Sequence, residues 1–240
     1  MFARDTESAD CDCGSYTVEI NKNLTNDETA VPYSWPMLVS VRYNCQGDGN
    51  NFAHCCTGTI LSKSYILTSA KCVHGISTTS ILSDNVTVLA GAHDRSGKGG
   101  ISRTVDQIYV HPDWKITDEC TDNIAILHIS EPFDFTTNLR ITRICRPRFV
   151  NSTNNDSLHI ANGTLLIVTG WNSTASLGSI RSEPWKQVTF HSVNRRHLLC
   201  AEKVINADKM FCSQFQEDKI GQPIAIAYLF NLKEIVYFIF

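Results

Sequence analysis

The sequence predicts an all-β protein, either a sandwich or a barrel, and three observations support this prediction. Short runs rich in Val, Ile, Leu and Tyr recur between turn residues along the chain. Regularly spaced short strands of this kind are typical of β-sandwiches and barrels. Only one short segment has a helical pattern. With 240 residues, the chain is long enough for one large domain or for two small barrels that share an interface.

Eight runs are predicted strands, and in chain order they cover residues 37–43, 57–62, 65–70, 86–91, 105–111, 123–129, 164–170 and 186–193. The glycine-containing segments 47–50 and 95–100 indicate surface loops, and the polar segment 151–157 indicates a linker. The predicted helix covers 194–204, with Asn194 as its N-cap.

The charge and hydropathy of the chain exclude two classes of function. The formal net charge is -3, and there is no run of Lys or Arg that could bind nucleic acid. The N-terminal segment is polar and acidic and lacks the apolar core of a signal peptide. The apolar tail is interrupted by Asn231, Lys233 and Glu234, and neither half reaches the roughly 18 residues of a spanning helix. We therefore expect neither a nucleic-acid partner nor a membrane anchor.

Ten cysteines are too many for a reduced cytosolic chain unless they bind metal. The cysteines therefore indicate an oxidising compartment, and six sequons also indicate the secretory pathway, because each is a glycan acceptor if the chain enters it. The sequons begin at Asn23, Asn85, Asn151, Asn155, Asn162 and Asn172. We expect an extracellular protein. A zinc site formed by "CDC" and "HCC" is a weaker alternative, because these spacings are not those of a zinc finger.

A series of motifs resembles the chymotrypsin-like serine proteases, the trypsin family. From about residue 30 to about residue 213 they appear in family order: "YSWPMLVSV", "CTGTILSKSYILTSAKC", "LAGAHD", "VHPDW", "TDNIAILHI", "ICRP", "VTGWN" and "MFCSQF". The resemblance implies two six-stranded antiparallel barrels with a cleft between them, the second barrel being incomplete, and one short late helix. The implied organisation is an N-terminal segment, 1–23, and a protease domain, 24–240. Within that domain, the first barrel covers about 30–145, the linker about 146–160 and the partial second barrel about 161–240.

The resemblance also implies partners for most cysteines. It pairs Cys56 with Cys72, Cys200 with Cys212, and either Cys11 or Cys13 with Cys145, of which we favour Cys13. Three cysteines are left for one further bridge and a free thiol, namely Cys45, Cys55 and Cys120.

Two of the catalytic positions implied by the resemblance hold residues that cannot perform the family's chemistry. The family's T-A-A-H-C has become "TSAKC", so that Lys71 stands in place of the histidine base. An amine of this type in water keeps its proton up to about pH 10 and cannot accept the serine proton. The nearby His74 is expected to face elsewhere. The serine of G-D-S-G-G-P should lie in "DKIGQP", where the nucleophile position holds Ile220.

The aspartate is predicted to be retained as Asp122, since "DNIAIL" matches the family's D-I-A-L with one extra residue, Asn123. We expect the Lys71 ammonium to form an ion pair with Asp122. The family's activation cleavage signal is absent before "ETAVP". Because the chain ends soon after Pro223, part of the second barrel and the specificity pocket are expected to be missing.

The sequence therefore predicts a secreted trypsin-like homologue without catalysis, acting as a binding or regulatory module. The alternative is an active serine endopeptidase whose true C-terminus is missing from this sequence and whose base is Lys71. A third alternative is a fragment that does not fold. A protein partner, a protease substrate or an inhibitor is expected but not identified. We expect a monomer without cofactor or metal. The resemblance allows a calcium site in the loop after Asp94, but we expect none there, because no further carboxylate follows before Asp106.

Overall fold

The structure is a computed structural model that describes residues 13–14, 18–19, 21, 28–44, 53–74, 86–115, 122–145, 162–171, 184–193, 212–215 and 236–239. These residues form eleven strands and one short helix. The strands are β1 (Glu28–Thr29), β2 (Leu38–Arg42), β3 (His54–Ile60), β4 (Tyr65–Thr68), β5 (Thr87–Ala90), β6 (Ile101–Val110), β7 (Ala125–Ile129), β8 (Leu165–Gly170), β9 (Lys186–Val193), β10 (Cys212–Phe215) and β11 (Val236–Ile239). The helix, α1, is Ala70–His74. The all-β prediction is confirmed.

Strands β2 to β7 close into an antiparallel barrel in the order β2-β3-β4-β7-β6-β5. Side chains alternate across each strand, so every second residue of β7 enters the core: Ala125, Leu127 and Ile129 are buried. They pack with Val39 and Val41 of β2 in one apolar cluster. Burial of these branched side chains, at about 25 cal/mol per Å² of apolar surface, drives closure of the barrel.

One glycine permits the close approach of two barrel strands. A Cβ on Gly58 of β3 would lie 2.8 Å from Ile66 Cγ2 and 3.0 Å from Val39 Cγ2. Strands β2 and β6 each contain a register shift, which in β2 lies between Val41 and Arg42. These shifts bend the two strands. Such bulges increase the local twist that a small barrel requires.

The other five strands form a second antiparallel sheet, in which β1, β9, β8 and β11 are successive neighbours and β10 also pairs with β9. A separate apolar cluster joins this sheet to the start of β2 and includes Trp35, Trp171 and Trp185. The rings of Trp171 and Trp185 are stacked with centroids 3.6 Å apart. Trp185 also donates from Nε1 to the carbonyl of Ala92 at 2.9 Å, which links the sheet to the loop after β5.

Two disulfides lie within the described part of the chain. Cys56 and Cys72 are joined with their Cα atoms 6.1 Å apart, and Cys13 and Cys145 with theirs 4.8 Å apart. These are pairings that the resemblance implies. Cys55 is also disulfide-bonded. Each bridge stabilises the fold by about 2–4 kcal/mol, mainly by restricting the unfolded chain.

Each of the eight predicted runs overlaps one of the observed strands, β2 to β9; β3 and β6 begin three and four residues before the runs that predicted them. Strands β1, β10 and β11 and the helix α1 were not predicted. The predicted late helix, 194–204, and the predicted linker, 146–160, lie outside the described residues. Within the described ranges, no helix combines the length and apolar character needed to cross a membrane.

Candidate functional site

Lys71 lies in α1, which begins two residues after the end of the barrel strand β4. Its neighbours Ala70, Cys72 and Val73 are buried in the barrel core, whereas Lys71 is half-buried. A helix of five residues is too short to be stable by itself. The burial of these three neighbours therefore fixes the conformation of the helical turn and the position of the Lys71 backbone within it.

The backbone of α1 is attached to the barrel at Cys72. The disulfide to Cys56 links this residue to β3. The carbonyl of Cys72 accepts a hydrogen bond of 2.8 Å from the hydroxyl of Tyr43, and burial raises the pKa of that hydroxyl above its usual value. The amide of Cys72 donates to the carbonyl of Ser69 at 3.1 Å. The Lys71 position is thus held on a rigid support.

A buried amide, Asn123, connects this turn to the segment before β7. Its Oδ1 accepts two hydrogen bonds, from the backbone N–H of Lys71 at 2.8 Å and from the hydroxyl of Ser69 at 2.7 Å. Asn123 is 1% exposed, so both bonds are made where water does not compete fully. The side-chain oxygen of Asn123 therefore holds together two segments that are 52 residues apart.

The preceding residue, Asp122, has a left-handed backbone conformation with φ of 54°. Its side chain is 14% exposed, and Oδ1 lies 4.0 Å from Nδ1 of His111. A positive φ is uncommon for residues other than glycine, although Asp and Asn tolerate it best. Asp122 therefore lies beside His111, while Asn123 contacts the Lys71 backbone.

This geometry favours a different register for the family's D-I-A-L. Read with no extra residue, Asn123, Ile124, Ala125 and Ile126 align with it and differ from it at the first and last positions. In this register the amide of Asn123 stands opposite the family's carboxylate. The prediction from the sequence placed the family's carboxylate at Asp122, and that assignment stays a prediction. The spacing of the motif, which needs no extra residue in the second register, is the signal that points to Asn123. The ion pair between Lys71 and Asp122 stays a prediction.

A buried polar cluster around His54 lies where the barrel meets the other sheet. His54 is 5% exposed, its Nδ1 lies 2.7 Å from the hydroxyl of Ser40, and its ring stands edge-on to Trp171 at 4.6 Å. Arg42 donates from Nε to the same hydroxyl at 3.0 Å. Burial, followed by repulsion from Arg95 and then Arg42, lowers the pKa of His54 to about 3. His54 is therefore neutral near pH 7, and it is too deeply buried to meet a substrate.

The remaining predicted site residues fall into two groups. Asn162 is exposed in the turn before β8, and Cys212 is the first residue of β10. The others lie outside the described residues: Ile220, Cys200, Cys11, Cys45, Cys120, Asn23, Asn85, Asn151, Asn155 and Asn172. Among the described residues, no group of three or more His, Cys, Asp or Glu side chains is arranged to hold a metal ion.

Comparison with known proteins identifies one protein family for most of the chain. The family described as Trypsin matches residues 24–222. The chain is 30% identical over 115 residues to human chymotrypsin-like elastase family member 3B, a match that covers 46% of this chain and 39% of that protein. It is 29% identical over 136 residues to rat chymotrypsin-C, with 55% and 47% covered. The match to mouse chymotrypsin-C is 27% over 175 residues, with 72% and 58% covered. The chain thus spans between 39% and 58% of the length of these relatives.

Proposed function

Because the chain belongs to the trypsin family of serine proteases, we propose that it is a secreted homologue that binds a protein partner without cleaving it. The observation that carries this proposal is the identity of two residues, Lys71 in α1 and Asn123 before β7, which together are called the α1 site below. Lys71 follows β4 where the family has its histidine base, and the buried amide of Asn123 holds the Lys71 backbone.

Neither residue can supply the chemistry of its counterpart in the family. A lysine ammonium has three hydrogen-bond donors and no acceptor, so it cannot remove a proton from a serine hydroxyl. An amide oxygen carries no charge that could stabilise an imidazolium. Replacing the triad aspartate by asparagine lowers kcat about 10⁴-fold in a member of this family that keeps its histidine and serine. Restoring the histidine alone would therefore leave this chain a very poor catalyst.

The buried His54 offers no substitute base. His54 is enclosed by Ser40, Arg42 and Trp171, and its low pKa leaves it a weak proton acceptor at neutral pH. A general base must come within hydrogen-bond reach of the proton it removes. The environment of His54 does not permit this approach, so its role is to pack the contact between the two sheets.

The scaffold around the α1 site supports a binding role. The closed barrel, the Cys56–Cys72 bridge and the Asn123 contacts keep this surface ordered without requiring any catalytic group. A rigid surface costs less conformational entropy on binding than a mobile one. We propose as partner a protein substrate or inhibitor of related serine proteases. Secretion is supported by the bridges at Cys13, Cys55 and Cys56, because disulfides persist in oxidising compartments.

Catalysis is tested on purified chain from a secretory host. We expect no hydrolysis of peptide esters or denatured protein and no labelling by a serine-directed phosphonate, in the wild type and in Lys71→Ala alike. Labelling of a serine that disappears in Lys71→Ala would refute the proposal and establish a Ser-Lys endopeptidase. Labelling that persists in Lys71→Ala would indicate a contaminating protease, which further purification should remove.

Binding is tested by competition. The folded chain should slow the cleavage of a protein substrate, or relieve the action of a protein inhibitor, when it is added to an active chymotrypsin-like elastase. A small chromogenic substrate without inhibitor is the control, because its hydrolysis should not change. Chain unfolded by reduction is the matched negative control. If folded and reduced chain have equal effects, the proposed binding role is excluded.

A further inference from the structure

Asn162, Gly163 and Thr164 form a sequon in the turn before β8. Asn162 and Gly163 are both exposed. Gly163 has φ of 80°, and apart from its two chain neighbours no atom of the described residues lies within 4 Å of the position that a Cβ would occupy. Among the described residues, the turn therefore has room for a bulky group beside it.

The backbone of the same turn is firmly attached to the sheet. The N–H of Gly163 donates to the carbonyl of Ser192 at 2.8 Å, and the N–H of Thr164 donates to the Ser192 hydroxyl at 2.9 Å. The N–H of Ser192 donates in return to the carbonyl of Thr164 at 2.9 Å. Since Ser192 is buried in β9, these bonds fix the turn while leaving the Asn162 side chain outside.

We propose that Asn162 is an N-glycosylation site and carries an oligosaccharide at the end of the second sheet. The covalent step transfers the sugar from a lipid-linked oligosaccharide diphosphate. A bond forms between Asn162 Nδ2 and C1 of the first sugar, the bond from C1 to the phosphate oxygen breaks, and the lipid diphosphate leaves with that electron pair while Nδ2 loses one proton. The site rests on the proposed entry into the secretory pathway.

The structure accommodates this modification without rearrangement. A glycan on Asn162 extends from an exposed side chain, and none of the three hydrogen bonds to Ser192 involves that side chain. The conformation of Gly163 is kept as well, because the sugar is not attached there. Glycosylation should therefore leave the fold of the sheet unchanged and cover the surface around the turn before β8.

The test uses the full chain fused to a heterologous secretory signal, so that entry into the endoplasmic reticulum does not depend on how the natural chain is targeted. Both secreted and cell-retained chain are treated with a peptide N-glycosidase in heavy-oxygen water, which converts an occupied Asn into a labelled Asp. We expect the label at position 162 in the wild type and its complete loss in Thr164→Ala. Thr164→Ser, which preserves the sequon, should retain the label.

An unlabelled peptide around Asn162 in the wild type, from both fractions, would overturn the proposal, whatever the occupancy of the other sequons. Persistence of the label in Thr164→Ala would also contradict it, because the modification would then not follow the sequon. The outcome is separate from that of the proposed function, which is decided by hydrolysis and competition. A labelled chain that cleaves peptides would retain the site and lose the function.

Discussion

Lowering the pH from 7 to 5 should destabilise the fold through His54. The pKa of this side chain is lowered to about 3, chiefly by burial, whereas in the unfolded chain the pKa should return to its ordinary value of 6.5. Between these two values the unfolded state binds the proton and the folded state does not. The contribution of His54 to stability is therefore complete above about pH 6.5 and decreases as the pH falls toward 3.

The size of this effect follows from the same two pKa values. At pH 5, protonation lowers the free energy of the unfolded chain by RT ln(1 + 10^1.5), which is about 2 kcal/mol. The folded state gains almost nothing at this pH. A loss of about 2 kcal/mol is a large part of the 5–15 kcal/mol that is typical of a domain.

The assay is urea denaturation followed by tryptophan fluorescence at pH 7 and pH 5. His54→Gln keeps a polar group that can bond to Ser40, and its free energy of unfolding should fall between these pH values by about 2 kcal/mol less than that of the wild type. His128→Gln is the matched control, because this side chain lies at the barrel surface beside Asp106, so it should retain the loss due to His54. Equal pH dependence in the wild type and His54→Gln would refute the reasoning; His54→Asn provides a second variant if the first does not fold.

Two changes in the barrel test the contacts that position the candidate site. Asn123→Ala removes the acceptor of two hydrogen bonds and should lower the free energy of unfolding by about 1–3 kcal/mol, whereas Asn123→Asp should lose less because it keeps the acceptor oxygens. Equal losses in thermal melts of the two variants would show that the bonds are not what stabilises this contact. Gly58→Ala places a methyl group 2.8 Å from Ile66 Cγ2 and should cost about 1–3 kcal/mol by overpacking. An unchanged denaturation midpoint would mean that β3 and β4 can separate without cost.

The strands β2 to β9 could be predicted because each is specified locally, by branched apolar residues between turn residues. Strand β1 could not be predicted from its local sequence. Its two residues, Glu28 and Thr29, form a strand only because they pair with Gln187 and Lys186 of β9, far along the chain. The helix α1 was missed for a similar reason. Its five residues are held by burial of Val73 and by bonds to distant segments, not by intrinsic helix propensity.

Within the candidate site, residue identity was predictable and contacts were not. Lys71 could be identified from its neighbours in "TSAKC" alone. Which of two adjacent polar residues approaches it depends on backbone conformation, and the positive φ of Asp122 cannot be inferred from an Asp-Asn pair. The structure shows one of these contacts, because Asn123 Oδ1 accepts a hydrogen bond of 2.8 Å from the amide nitrogen of Lys71.

The nature of that contact also explains how the fold tolerates a lysine at this position. Asn123 binds the N–H of residue 71 and the hydroxyl of Ser69, so these two bonds do not depend on which side chain residue 71 carries. Tyr43 likewise binds the turn through a carbonyl, that of Cys72. An exchange of histidine for lysine therefore changes the chemistry of the surface without removing any of these three bonds. The barrel can then persist with a half-buried lysine at the position that, under the proposed function, corresponds to the family's histidine base.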